Sequence, residues 1–293
     1  MSRFTLTAFA DEIGADLDLQ LAELNRHDIH YVEFRGADGK GIADYTLEQA
    51  RQAKRRMDAA GIKVSAVGSP MGKIGIEEDF FEHLKTFYKI IDIAQIFQTP
   101  YIRMFSFFIP RGRDPYGYRD EVMRRLSAFT AAVKGTGITL LHENEKEIYG
   151  DVPNRCKDIL DTIASEQLWM TYDPSNFVQC GVKNYPDAFN LLRPYIRYMH
   201  IKDSVFTGQK AQRDTGFDTI TDAHRPAGYG DGDLKQIVTA LYEDGYEGFF
   251  SIEPHLTHND AVPGSGADKF AVAVKAIKDL IAQVEAEHAP AQQ

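Results

Sequence analysis

Short apolar runs rich in β-branched and aromatic residues recur along the chain, separated by stretches in which apolar residues return every three or four positions. The short runs are Phe4–Ala10, Tyr31–Phe34, Lys63–Val67, Tyr101–Phe105, Thr139–Glu143, Trp169–Tyr172, Tyr198–Ile201 and Gly248–Glu253, and each reads as a strand. The longer stretches read as amphipathic helices. Leu17, Leu21 and Leu24 make one stripe over Leu17–His27. Thr46, three before Gln49, opens a helix towards Ala60 as a capping box, and Gly61 stops it. Asp79–Ile96 and Asp120–Lys134 carry similar stripes, the second ending before Gly135 and Gly137. A last helix is expected over about Asp268–Ala286.

Strands that alternate with helices imply right-handed βαβ units and a parallel sheet. Eight such units predict one closed (β/α)8 TIM barrel over 1–286, followed by a fraying tail at 287–293. The rival is an open doubly wound sheet, but no GxGxxG turn follows any strand. One connection is unusually long. The polar stretch Lys202–Gly232, after the seventh strand, is expected to be a lid or binding loop.

Composition narrows the function. Among 293 residues, 33 basic against 43 acidic side chains leave a formal charge of −10, unsuited to tracking a phosphate backbone. Cys156 and Cys180 are too few for a disulfide framework, which favours a reducing compartment. No run approaches the roughly 18 apolar residues of a membrane span, and the first residues, MSRFTLTAFADEIG, lack a signal-peptide core. The expectation is a cytoplasmic protein with neither nucleic acid nor membrane as partner.

Side chains at the C-terminal ends of barrel strands meet at one mouth. Read in turn, those ends supply Asp11 and Glu12, Glu33 and Arg35, Ser69, Arg103 and Ser106, then His142 and Glu143, Asp173 and Asn176, His200, Lys202 and Asp203, and Glu253 and His255. Each has an ordinary structural reading: Glu143 in a salt bridge, Asp173 capping a turn before Pro174, His200 as a core histidine, Glu253 closing the last strand. Their coincidence favours another. The fifth to eighth strands each end on an oxygen or imidazole donor, and three carboxylates with one imidazole suit a divalent cation such as Mn²⁺, Mg²⁺, Co²⁺ or Zn²⁺.

From FADEI near the start to SIEPH near the end, the chain resembles the xylose-isomerase-like TIM-barrel superfamily, in its sugar-phosphate isomerase/epimerase branch. The resemblance rests on Glu143-Asn144, on Tyr172-Asp173-Pro174-Ser175-Asn176, on His200-Ile201-Lys202-Asp203 and on Ile252-Glu253-Pro254, in that order. It implies one divalent metal, with Mn²⁺ favoured, held by Glu143, Asp173, His200 and Glu253. It also implies that Glu143 and Glu253 act as acid and base on a carbon beside a carbonyl, through an enediolate. The outcome is then isomerisation or epimerisation of a small carbohydrate. Many relatives have His where Asn176 stands.

His142 suggests an alternative. If strand alternation breaks at Glu143, the imidazole becomes a general base for β-elimination, and the protein a lyase or dehydratase of keto-sugars or keto-glycosides. Strict alternation instead packs it between barrel and helices. Glu33, Ser69, Asn176, Lys202 and His255 are expected to contact substrate. The rings and arginines of Ser106–Arg113 either stack on a sugar or pack against loops. No glycine-rich cradle supports a phosphate group. The superfamily's apurinic-site endonucleases need more strand-end histidines than this chain has. A metal-and-sugar sensor without catalysis is the remaining alternative. Aromatic and Met residues in several loops are compatible with a homo-oligomer.

Overall fold

Eight parallel strands follow one another around a barrel in the computed structural model, which describes residues 3–210, 223–256 and 262–289. They are β1 (Thr5–Ala8), β2 (Tyr31–Phe34), β3 (Lys63–Gly68), β4 (Tyr101–Met104), β5 (Thr139–Glu143), β6 (Leu168–Tyr172), β7 (Ile196–Ile201) and β8 (Phe249–Ile252). The ladder runs β1-β8-β7-β6-β5-β4-β3-β2, and β1 lies beside β2, which brings the two ends of the sheet together. The expected barrel is therefore observed, with strand ends shifted by one or two residues where apolar runs spill into loops.

Helices cover the outside. Asp16 caps α1 (Leu17–Arg26), and the anticipated Thr46–Gln49 capping box opens α2 (Leu47–Ala59). Asp79 caps α3 (Phe80–Phe97), and α4 (Arg119–Val133) and α5 (Pro153–Ile163) follow the fourth and fifth strands. The sixth crossover departs from the pattern. Instead of one long helix it has short segments, α6 (Pro174–Gln179) and α7 (Phe189–Leu192), because Gly181, Pro186 and Pro194 interrupt continuous helix. The helix α8 (Leu234–Glu243) follows the long connection. The last helix, α9 (Gly266–Glu287), starts earlier than its stripe suggested, because Ser265 and Asp268 form a second capping box. It also runs into the segment expected as tail, of which residues 290–293 lie outside the described ones.

Of the long connection, Asp203–Ser204 pairs antiparallel with His224–Arg225, which pins its base to the end of β7. The lid expectation falls largely on residues 211–222, outside the described ones. No helix among the described residues is long and apolar enough to cross a membrane.

Alternation sorts each strand into two faces. On β5, Leu140 joins the large core between sheet and helices, while Leu141 packs inside the barrel with Ala66 and Tyr198. Tyr101, Trp169 and Phe249 complete this apolar floor. One step further along β5, β7 and β8, the inward positions become Glu143, His200 and Ser251, with β7 and β8 in register at His200 and Ser251. The barrel thus closes below with aromatic rings and turns polar above.

Candidate metal centre and active site

Four side chains from consecutive strand ends, Glu143, Asp173, His200 and Glu253, each offer a donor atom, all within 4.8 Å of one another. All four are buried. His200 directs Nδ1 at the group, 3.2 Å from Glu143 Oε1, 3.3 Å from Glu253 Oε2 and 3.6 Å from Asp173 Oδ2. Its other nitrogen, Nε2, faces the two oxygens of Glu33 at 3.4 and 3.2 Å.

Local sequence explains the placement of Asp173. As N-cap of α6 it accepts the backbone N–H of Asn176 on Oδ1 (2.8 Å), and Pro174 fills the first helical position without needing a partner. Oδ2 stays turned into the group. Asn144 steadies the same corner, donating to the Asp173 carbonyl (2.8 Å) and accepting from its N–H (3.0 Å). The cap and the cluster donor are thus one residue in both roles.

Asp173 Oδ2, His200 Nδ1 and Glu143 Oε2 are buried and, among the described residues, meet charged neighbours without a well-aligned hydrogen bond. Such atoms are expensive to leave unmade. Hard oxygens with one imidazole match divalent cations of the Mn²⁺, Mg²⁺, Co²⁺ and Zn²⁺ group, so these residues fit the ion the sequence implied. Burial alone would raise the carboxyl of Glu143, but His200 and Arg103 outweigh it and hold it at about 2. Burial likewise works against ionisation of Glu253, and Lys202, His200 and His255 bring it well below the usual carboxylate range. For Asp173 burial prevails over Lys202 and His200, and its carboxyl is raised.

Three cations brace the cluster. Lys202 Nζ lies 2.7 Å from Asp173 Oδ2 and 3.1 Å from Glu253 Oε2. Arg103 Nε lies 3.1 Å from Glu143 Oε2, and Arg35 Nη1 donates to Glu253 Oε1 at 3.0 Å. Both guanidinium groups sit against the ring of Phe9, at 4.5 Å for Arg35 and 5.3 Å for Arg103. The two glutamates are thus each held by an arginine (Arg103 for Glu143, Arg35 for Glu253).

Above the cluster opens a cavity of about 230 Å³, lined among others by Glu143, Glu253, Lys202, Asn176, His255 and Phe105. Asn176 donates Nδ2 to Glu143 Oε1 (3.0 Å), and His255 lies between Glu12 (3.2 Å) and Glu253 (3.5 Å). Of the five residues expected to contact substrate, Asn176, Lys202 and His255 line the cavity, and Glu33 and Ser69 do not. Glu33 is fully buried and turned to His200, and the Ser69 hydroxyl donates to the Arg103 carbonyl at 2.5 Å.

His142 is also turned away. It shares the outward face of β5 with Leu140, is fully buried, and packs against Gly150. Burial lowers its imidazole to about 4, and among the described residues no hydrogen-bond partner reaches either nitrogen. Alternation therefore holds at this strand end. The Phe107 ring packs on Phe80 and Phe129, so this part of the aromatic loop serves the core. Sequence reading left Glu145 unassigned: two beyond Glu143, it lines the cavity and binds Lys73 (2.9 Å) and Lys146 (3.0 Å). Its signal was only its nearness to the end of β5, since it lies beyond the last strand residue, Glu143.

Fold and strand-end donors together define a (β/α)8 barrel of the xylose isomerase-like class. The chain belongs to the xylose isomerase-like TIM barrel family, whose profile matches residues 21–279. No curated protein sequence matches it. Among solved structures, a D-tagatose 3-epimerase-like protein is similar over 98% of this chain and 100% of its own, at 15% identity and a TM-score of 0.75. The IOLI protein with a bound zinc atom is similar over 97% and 99%, at 14% identity and a TM-score of 0.73. The probable 3-DHS dehydratase AsbF of Bacillus anthracis is similar over 95% and 99%, at 14% identity and a TM-score of 0.72. At these identities the likeness is one of fold.

Proposed function

We propose that the protein is a sugar-modifying enzyme, and specifically a divalent-metal-dependent isomerase or epimerase of a ketose, aldose or sugar derivative. The observation that carries this reading is the buried cluster of three carboxylates and one imidazole beneath the cavity, with a donor atom of each within 4.8 Å of the others. A divalent cation held there, Mn²⁺ in the first instance, supplies Lewis-acid polarisation of a carbonyl and stabilises the charge that builds on it. Glu143 and Glu253 come from the two ends of the arc of ligand strands and both border the cavity. Both are held ionised, so either one can accept a proton from a carbon lying between them. Delivery of a proton to the opposite face inverts the centre, and transfer to the neighbouring carbon interconverts aldose and ketose. Lys202, Asn176 and His255, which line the cavity, would hold hydroxyl groups.

Elimination with His142 as base gains nothing from the geometry, because that ring is packed on the far face of β5. The −10 charge weighs against nucleic acid as a substrate. The test is metal-dependent exchange of a substrate C–H with solvent deuterium across a panel of ketoses. Exchange that needs Mn²⁺, stops with chelator and disappears in Glu143→Gln and Glu253→Gln is expected. A metal-loaded protein that binds sugar without any exchange is a sensor, and the proposal fails.

A further inference from the structure

Glu33 is the residue for which neither the expected substrate contact nor the cavity accounts. It is fully buried on β2, and an ionised carboxylate in a barrel interior is costly unless something uses it. Both of its oxygens face His200 Nε2, while Nδ1 of the same ring points at Glu143, Glu253 and Asp173. A carboxylate at that position keeps the hydrogen on Nε2 and leaves the Nδ1 lone pair for a cation.

The carboxylate is itself held: Arg103 Nε lies 3.8 Å away, and the buried Tyr198 hydroxyl is close enough to feel its charge. Tyr198 is in turn bonded to Ser65 Oγ at 2.8 Å, and Ser65 to Thr7 Oγ1 at 2.7 Å. A line of buried polar side chains drawn from β1, β3, β7 and β2 thus leads through the barrel to one imidazole. None of its members lines the cavity, so none is placed to touch a sugar there.

We propose that Glu33, backed by Tyr198, is a positioning residue that fixes His200 as an Nδ1 donor and strengthens its hold on the divalent cation. This rests on the reading of Glu143, Asp173, His200 and Glu253 as a metal site. The role is electrostatic and orientational: the charge on Glu33 makes the imidazole a better donor, and its two oxygens keep the ring from rotating.

The experiment is Mn²⁺ titration by calorimetry of the whole protein, with Co²⁺ absorption as a second readout. The proteins are wild type, Glu33→Ala, Glu33→Gln, Tyr198→Phe and, as ligand control, Asp173→Asn. Loss of an outer partner of a metal-bound histidine weakens affinity by about 10–100-fold, which is expected for Glu33→Ala. Glu33→Gln should fall between, since its amide oxygen still accepts from Nε2 without the charge, and its Co²⁺ bands should shift. Tyr198→Phe should weaken binding least, because the carboxylate remains. If Glu33→Ala and Glu33→Gln both bind Mn²⁺ within about twofold of wild type, well short of the loss expected for an outer partner, the positioning role is wrong. Should Glu33→Ala not fold, unchanged affinity and an unchanged Co²⁺ spectrum in Glu33→Gln are enough to overturn it. Wild type that binds no Mn²⁺, or binds it as well as Asp173→Asn does, defeats the metal site itself.

Discussion

Asp203 gives the sharpest test of how the long connection is tied to the mouth. Its carboxylate is buried and accepts four backbone N–H groups: Gly228 and Gly230 on Oδ2, Gly232 and Ser204 on Oδ1, each at 2.9 Å. Asp203→Asn keeps the shape but turns one acceptor into a donor. Whichever way the amide points, two N–H groups then face an NH₂. Hydrogen bonds to a charged group are worth about 1.5–3 kcal/mol each, so about 3–6 kcal/mol is lost. Part returns, because the asparagine no longer buries a charge. Burial pushes the Asp203 carboxyl up, against the four N–H groups that pull it down, so relief of that burial is a real gain. The expected net loss is about 2–4 kcal/mol. The glycines leave no easy repair, since a Cβ on Gly230 would come within 2.3 Å of Asp203 Oδ1. Urea unfolding measures the global loss, and limited proteolysis reads opening between Ser204 and Gly232. A stability change below about 0.5 kcal/mol, the range of ordinary surface substitutions, with unchanged cleavage, would refute this account of the latch.

Three further outcomes follow from packing and charge. His142→Ala should keep turnover within a few-fold, because the ring faces the helices; a loss of about 10²-fold or more, the worth of a general base, would return elimination to favour. Gly150→Ala should destabilise by about 1–3 kcal/mol in urea, since its Cβ would lie 2.4 Å from His142 Cε1 and 3.0 Å from Ser106 Oγ; an unchanged midpoint would show that the wall can move. His83 is lowered to about 4, chiefly by burial and then by Arg125, while its Nε2 accepts the Gly72 N–H at 2.8 Å. The unfolded chain therefore binds more protons between about pH 6.5 and 4, so the stability is complete above 6.5 and is lost as pH falls. The ring is partly exposed, which limits the effect to about 1–2 kcal/mol. His83→Phe should flatten the stability profile across that window, and identical profiles would rule the histidine out.

Much of this was legible from the chain alone. Alternating apolar periods placed all eight strands, because each strand must bury two faces and each helix one. The order of donors at the fifth to eighth strand ends marked the cluster for the same reason: barrel topology sends successive strand ends to one mouth. Period-two spacing also decides His142 once the strand is known, whereas Glu145 lies just beyond the strand. One puts its ring among the helices, and the other its carboxylate in the cavity.

Depth was not in the pattern. Glu33 and Lys202 are both inward polar residues near strand ends, yet one lies sealed beneath His200 and the other lines the cavity. How far a side chain sits along the barrel axis depends on stagger between strands, such as the register shift between Val32 and Glu33, and no local spacing encodes it. The pairing of Arg103 with Glu143 and of Arg35 with Glu253 likewise joins residues far apart in the chain. Sequence fixes which face a residue takes, because that follows from neighbours one or two positions away. Only closure of the sheet decides what it meets there.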